Sequence, residues 1–154
     1  MRLLRKLWQL SWADRFLLVE AWIQLGAARF ALLTTPFRRI APRLGRQQPP
    51  PPATTQGGST SPTAKRVAWA IETMARHTPW ESACLAQAIA GKYMLRRRRV
   101  ASQLCLGTRK DERNQLLAHA WLIVSGLIVL GGSGQDTFIA LAAFGELPGR
   151  GLAA

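Results

Sequence analysis

The chain is poor in the residues that most often announce a function. Its 154 residues include only two cysteines, two histidines and eight carboxylates. Two cysteines exclude a disulfide scaffold. With no uninterrupted apolar region or small-residue cleavage site near the basic N-terminus, they point to free thiols in a reducing, cytoplasmic setting. Cys84, Cys105, His77 and His119 lack the short spacings of a zinc site, so no metal is expected. There is no phosphate-binding loop, and no cofactor is expected. Acid is scarce against 21 Lys+Arg, which leaves a formal net charge of +13. Such an excess attracts polyanions, acidic peptides or anionic membrane surfaces. Without a zinc finger, a ribonucleoprotein aromatic motif or a helix-turn-helix, charge alone would carry a nucleic-acid reading, and none is expected.

What is present is a globular composition, 48% apolar with six tryptophans, enough for one modest core and an accessory segment. Ser11-Trp12-Ala13-Asp14 fits a capping box and predicts a helix over 12–33. Along it Trp12, Phe16, Val19, Ile23, Ala27, Phe30 and Leu33 recur every three or four residues, an apolar stripe expected to pack on the rest of the chain or on a partner. Asp14, Arg15, Glu20, Gln24 and Arg29 break the run before the roughly 20 apolar residues of a membrane span. Peripheral contact with a membrane surface is the competing use. Pro36 ends the helix. Residues 46–64, RQQPPPPATTQGGSTSPTA, read as a polyproline stub and flexible linker. The predicted organisation is an N-terminal helical segment (1–45), this linker, and a main domain (65–154).

The main domain opens with an amphipathic helix over 65–76. Two helix starts then compete, Thr78 with Pro79 and Glu81, or Ser82 with Cys84 in the first turn. The second would set a thiol against the positive helix end, which favours thiolate and supplies N–H groups for an oxyanion. A small buried hydrophobe is the plain alternative for Cys84. Arg96-Arg97-Arg98-Arg99 sits at the helix's C-terminal end, where positive charge is favoured; the run reads as a solvated end or a grip for an acidic peptide. Residues 100–107 alternate like a half-buried strand with Cys105 as a core residue, and 108–115 form a polar turn. Residues 116–132 carry no charge, yet Ser125-Gly126 divides them as a turn dipeptide, so a hairpin fits better than a membrane helix. In it His119 and Trp121 share a face.

Four landmarks in order resemble the lasso-peptide leader peptidases of the transglutaminase-like cysteine protease group. They are Cys84-Leu85 at a helix start, the Leu-Arg-Arg-Arg helix end, Gly-x-x-Lys-Asp at 107–111, and Ala-His-Ala-Trp at 118–121. The resemblance covers about residues 65–144. It implies an α+β papain/transglutaminase-like core in which a helix bearing the cysteine packs on a small antiparallel sheet bearing the histidine. It further implies a peptidase that removes the leader from a ribosomal precursor peptide, acting with a small leader-binding protein and a macrolactam-forming cyclase. Cys84 would be the nucleophile and His119 the base. The family's aspartate would fall on Gly131-Gly132. The nearest downstream carboxylate is Asp136, so Asp136, a backbone carbonyl or no third group at all is left to orient His119. Gln87 is a candidate oxyanion donor, and Lys110 and Trp121 are weaker candidates for substrate contact. The contrasting reading is a non-catalytic basic adaptor for an acidic peptide, nucleic acid or a membrane surface.

Overall fold

A computed structural model describes residues 10–52, 59–80 and 82–145. In chain order it contains α1 (Trp12–Thr34), α2 (Phe37–Ile40), a 3-10 turn (Ala41–Leu44), β1 (Arg46–Gln48), α3 (Pro62–Ala75), α4 (Cys84–Arg97), β2 (Gln103–Lys110), β3 (Leu116–Val124), β4 (Leu127–Leu130), a second 3-10 turn (Gln135–Thr137) and β5 (Ile139–Gly145). The strands form one antiparallel sheet in the order β1-β5-β2-β3-β4. Two long helices lie on one of its faces and a third packs on them, giving the α+β class expected. α4 lies on β3 and β2, α3 reaches β4, and α1 packs across α3 and α4.

α1 starts as its capping box requires. The Ser11 hydroxyl accepts from the Asp14 N–H at 3.2 Å and donates to the Asp14 carboxylate at 2.7 Å, which occupies donors that the first turn leaves unpaired. Those bonds and the Arg66 guanidinium, 2.5 Å from Asp14 Oδ1, hold the Asp14 carboxyl below the usual carboxylate range. The apolar stripe, however, does not face the domain. Leu17, Leu18, Ala21, Leu25 and Ala28 are buried, whereas Trp12, Phe16, Val19, Ile23, Phe30 and Leu33 are exposed. α1 is apolar on two faces, and the face of smaller residues meets α3 and α4 because Ala21 and Ala28 let the helix axes approach closely. α1 is also long and apolar enough to cross a membrane by length and composition alone.

The arginine run is a clamp rather than a free grip. Arg98 donates to both Glu20 oxygens, at 2.6 and 3.2 Å, and Arg97 lies 3.5 Å from the same carboxylate. Arg96 donates to the Arg43 carbonyl. The helix ends as Arg99 turns to φ +57° while the Arg99 and Val100 N–H groups bond back to Arg96 and Leu95, a Schellman motif with arginine where glycine is usual.

The linker begins later than predicted. Residues 46–48 form β1, an edge strand whose register pairs Gln47 with Phe144, and α3 begins at Pro62, in the N1 position that proline favours. The first strand of the main domain is shifted too, to Gln103–Lys110. Asp111 makes the following turn by accepting from the Arg113 and Gln115 N–H groups. Ser125 and Gly126, both at positive φ, join β3 to β4 as the two-residue hairpin predicted.

Candidate active site

Cys84 is the first residue of α4. Its N-cap is Ala83, not Ser82, and no side chain caps this helix; the Ser82 hydroxyl bonds Thr78 instead, at 2.8 Å. The first intrahelical bond runs from the Gln87 N–H to the Ala83 carbonyl, so the N–H groups of residues 84–86 precede it at the positive helix end. Gln87 donates its side-chain amide to the Ser82 carbonyl at 2.7 Å. That bond ties the Gln87 side chain back to the residue two before Cys84, in front of the first turn of α4. Cys84 is half-buried, packed at the margin of the helix-side core.

The helix runs toward the end of β3. Gly91 lies against Leu122 and Leu130, and the buried Lys92 ammonium donates to the Ser102 carbonyl at 2.6 Å, just before β2 opens opposite Ile123. Cys84 lies seven residues before Gly91, about 10 Å along the helix axis.

His119 lies on the face of the sheet opposite the helices. On β3, Ala120, Leu122 and Val124 join the helix-side core, while Trp121 and Ile123 join a small cluster with Cys105 and Ala143 on the far face. The His119 ring stacks beside Trp121 at 5.9 Å and lies 4.9 Å from Phe138. No hydrogen bond joins it to Cys84 among the described residues. Its Nε2 is 2.8 Å from the Gly131 carbonyl oxygen. A carbonyl only accepts, so Nε2 carries the proton and, in the neutral ring, Nδ1 carries the lone pair of a base.

Gly131 is one of the two positions on which the family's aspartate would fall. It holds φ +72°, and a Cβ there would strike the Ala120 carbonyl oxygen at 2.5 Å. A backbone carbonyl thus stands at the level where a carboxylate was looked for. Asp136 is exposed in the second 3-10 turn. Trp121 is buried, and its ring fills the space left by Gly107, where a Cβ would lie 2.7 Å from it. This makes Trp121 a wall under His119, and Gly107 its complement. Lys110 is exposed at the end of β2 beside Leu116.

A cysteine-headed helix on an antiparallel sheet with a histidine strand now has a counterpart among known families. The sequence model described as the Transglutaminase-like superfamily matches residues 31–143. The chain belongs to the transglutaminase-like superfamily. No curated protein and no solved structure matches it. The superfamily match takes in only the last turn of α1 and then runs through α2, β1, α3, α4 and nearly all of the sheet. Phe138, which sequence reasoning did not single out, and Gly131, named there only as where the family's aspartate would fall, shape the histidine side of this transglutaminase-like core. The positive-φ glycine that follows a strand was the available signal for the second.

Proposed function

We propose that this chain is a cytoplasmic cysteine peptidase that removes the leader from a ribosomally made lasso-peptide precursor, acting with a leader-binding protein and a macrolactam-forming cyclase. The observation that carries this reading is a cysteine at the first position of an uncapped helix, in a superfamily that includes cysteine proteases. The Cys84 thiolate would attack the scissile carbonyl, and the oxyanion would sit on the N–H groups of the first turn of α4. His119 would take the thiol proton and return it to the leaving amine, after which water hydrolyses the thioester and frees the cysteine. The imidazole is held by the Gly131 carbonyl and no hydrogen bond joins it to the thiol among the described residues, so this chemistry requires the precursor or the leader-binding protein to bring Nδ1 to the sulfur on binding.

The test is cleavage of a precursor, with and without the leader-binding protein, read by mass. Cys84→Ala and His119→Ala are each expected to lower the rate by about a thousandfold or more, with unchanged thermal unfolding. Cleavage by Cys84→Ala at the native rate ends the reading. The lack of a hydrogen bond between Cys84 and His119 among the described residues, with the net charge of +13, favours a second reading, a basic adaptor. That reading predicts binding of an acidic peptide that weakens with salt and is indifferent to Cys84→Ala.

A further inference from the structure

α1 carries a surface the peptidase reading does not use. Trp12, Phe16 and Phe30 are about 70% exposed (72%, 71% and 69%), and Val19, Ile23 and Leu33 lie between or beyond them on the same stripe. From residue 12 to residue 33 this stripe runs about 30 Å at the helical rise. Soluble monomers seldom show water so long a row of large apolar side chains.

The charge around the stripe says what covers it. The only carboxylates on α1, Asp14 and Glu20, are turned away from it and consumed by Arg66 and by Arg97 and Arg98. The stripe itself therefore has no acidic residue. Arg15 sits over the Trp12 ring at 4.8 Å, exposed Arg38 and Arg39 follow directly on the helix, and Arg2, Arg5 and Lys6 precede it in sequence among Leu3, Leu4, Leu7 and Trp8. A second copy of a chain with net charge +13 would be repelled. The opposite helix face is packed on α3 and α4, so α1 lies along a surface and does not cross it.

We propose that this stripe docks the protein on an anionic lipid bilayer, with Trp12, Phe16, Ile23 and Phe30 in the headgroup region and the flanking arginines on the lipid phosphates. The full chain is mixed with vesicles of phosphatidylcholine containing phosphatidylglycerol, and with vesicles of phosphatidylcholine alone, and the bound fraction is read by sedimentation. Binding is expected to the anionic vesicles and to be weaker by about tenfold or more on neutral ones. Phe16→Ser with Phe30→Ser should lose about tenfold or more of the anionic binding; both side chains are exposed, and an unchanged melting curve verifies the fold. Arg38→Gln with Arg39→Gln should weaken it further from the charge side. No binding to anionic vesicles overturns the proposal. Equal binding by the Phe16/Phe30 variant overturns it as well, since charge alone would then suffice. So does a stripe-dependent dimer, or a stripe-dependent complex with the leader-binding protein, formed without vesicle binding. None of these outcomes depends on peptidase activity.

Discussion

The two faces of the sheet are built to different standards. On the helix side, Leu104, Ala120, Leu122, Val124 and Phe144 share one continuous core with residues of the three long helices. On the far side, Cys105, Trp121, Ile123 and Ala143 form a small cluster edged by Ile128 and Phe138. The thiol belongs to the first environment and the imidazole to the second. A face sealed by helices gives the thiol at the start of α4 a well-packed mount. On the thinner face His119 is held by one backbone carbonyl and by the Trp121 and Phe138 rings.

Neighbouring residues of β3 break this comparison most sharply. Leu122→Ala opens the large core and is expected to cost about 2–5 kcal/mol, as large-to-small core changes do. Ile123→Ala, one residue on but on the far face, should cost less because the thin cluster can relax. Urea unfolding of both variants measures the difference, and equal losses would show that the two faces are equally well packed.

Next in size is the orientation of His119. Gly131→Ala forces a side chain against the Ala120 carbonyl at a positive φ, so it should displace the carbonyl that holds Nε2. Its expected effect is a loss of about tenfold or more in precursor cleavage. Asp136→Asn is expected to stay within about threefold if the carbonyl is the group that matters. A larger loss for Asp136→Asn than for Gly131→Ala would return that role to the carboxylate.

The two thiols give the mildest contrast. Burial pushes the Cys105 thiol up to about 11, with the nearby Lys92 charge pulling the other way. Native protein at neutral pH should therefore take iodoacetamide on Cys84 and spare Cys105, while unfolded protein takes it on both, as peptide mass mapping would read. A raised folded pKa means that the contribution of Cys105 to stability is complete below the ordinary value of 9.0 and is lost as pH rises toward 11. Cys105→Ala should remove that part of any alkaline destabilisation.

Much of this architecture was legible from local patterns. The Ser11 cap and the Ser125-Gly126 hairpin each depend on chemistry within a few residues and formed as read, whereas the polar turn expected over 108–115 is confined to Asp111–Gln115 because Thr108–Lys110 pair into β2. β1 was missed because nothing local distinguishes Arg46–Gln48 from the prolines after it; only pairing with β5 makes it a strand. Residues 1–9, 53–58, 81 and 146–154 lie outside the described residues, so the basic N-terminal segment, the rest of the linker and Glu81 add nothing to this comparison.

Periodicity by itself determined that α1 is a helix and that it has apolar faces, because spacing of three and four residues is a property of one element. Which face is buried was decided by tertiary structure, through the close approach that Ala21 and Ala28 allow. Strand alternation likewise fixed that His119 and Trp121 point the same way. Only the folded sheet decided that this direction is away from α4 and toward the Gly131 carbonyl, since the side on which a helix crosses a sheet is set by long-range packing that no local spacing encodes.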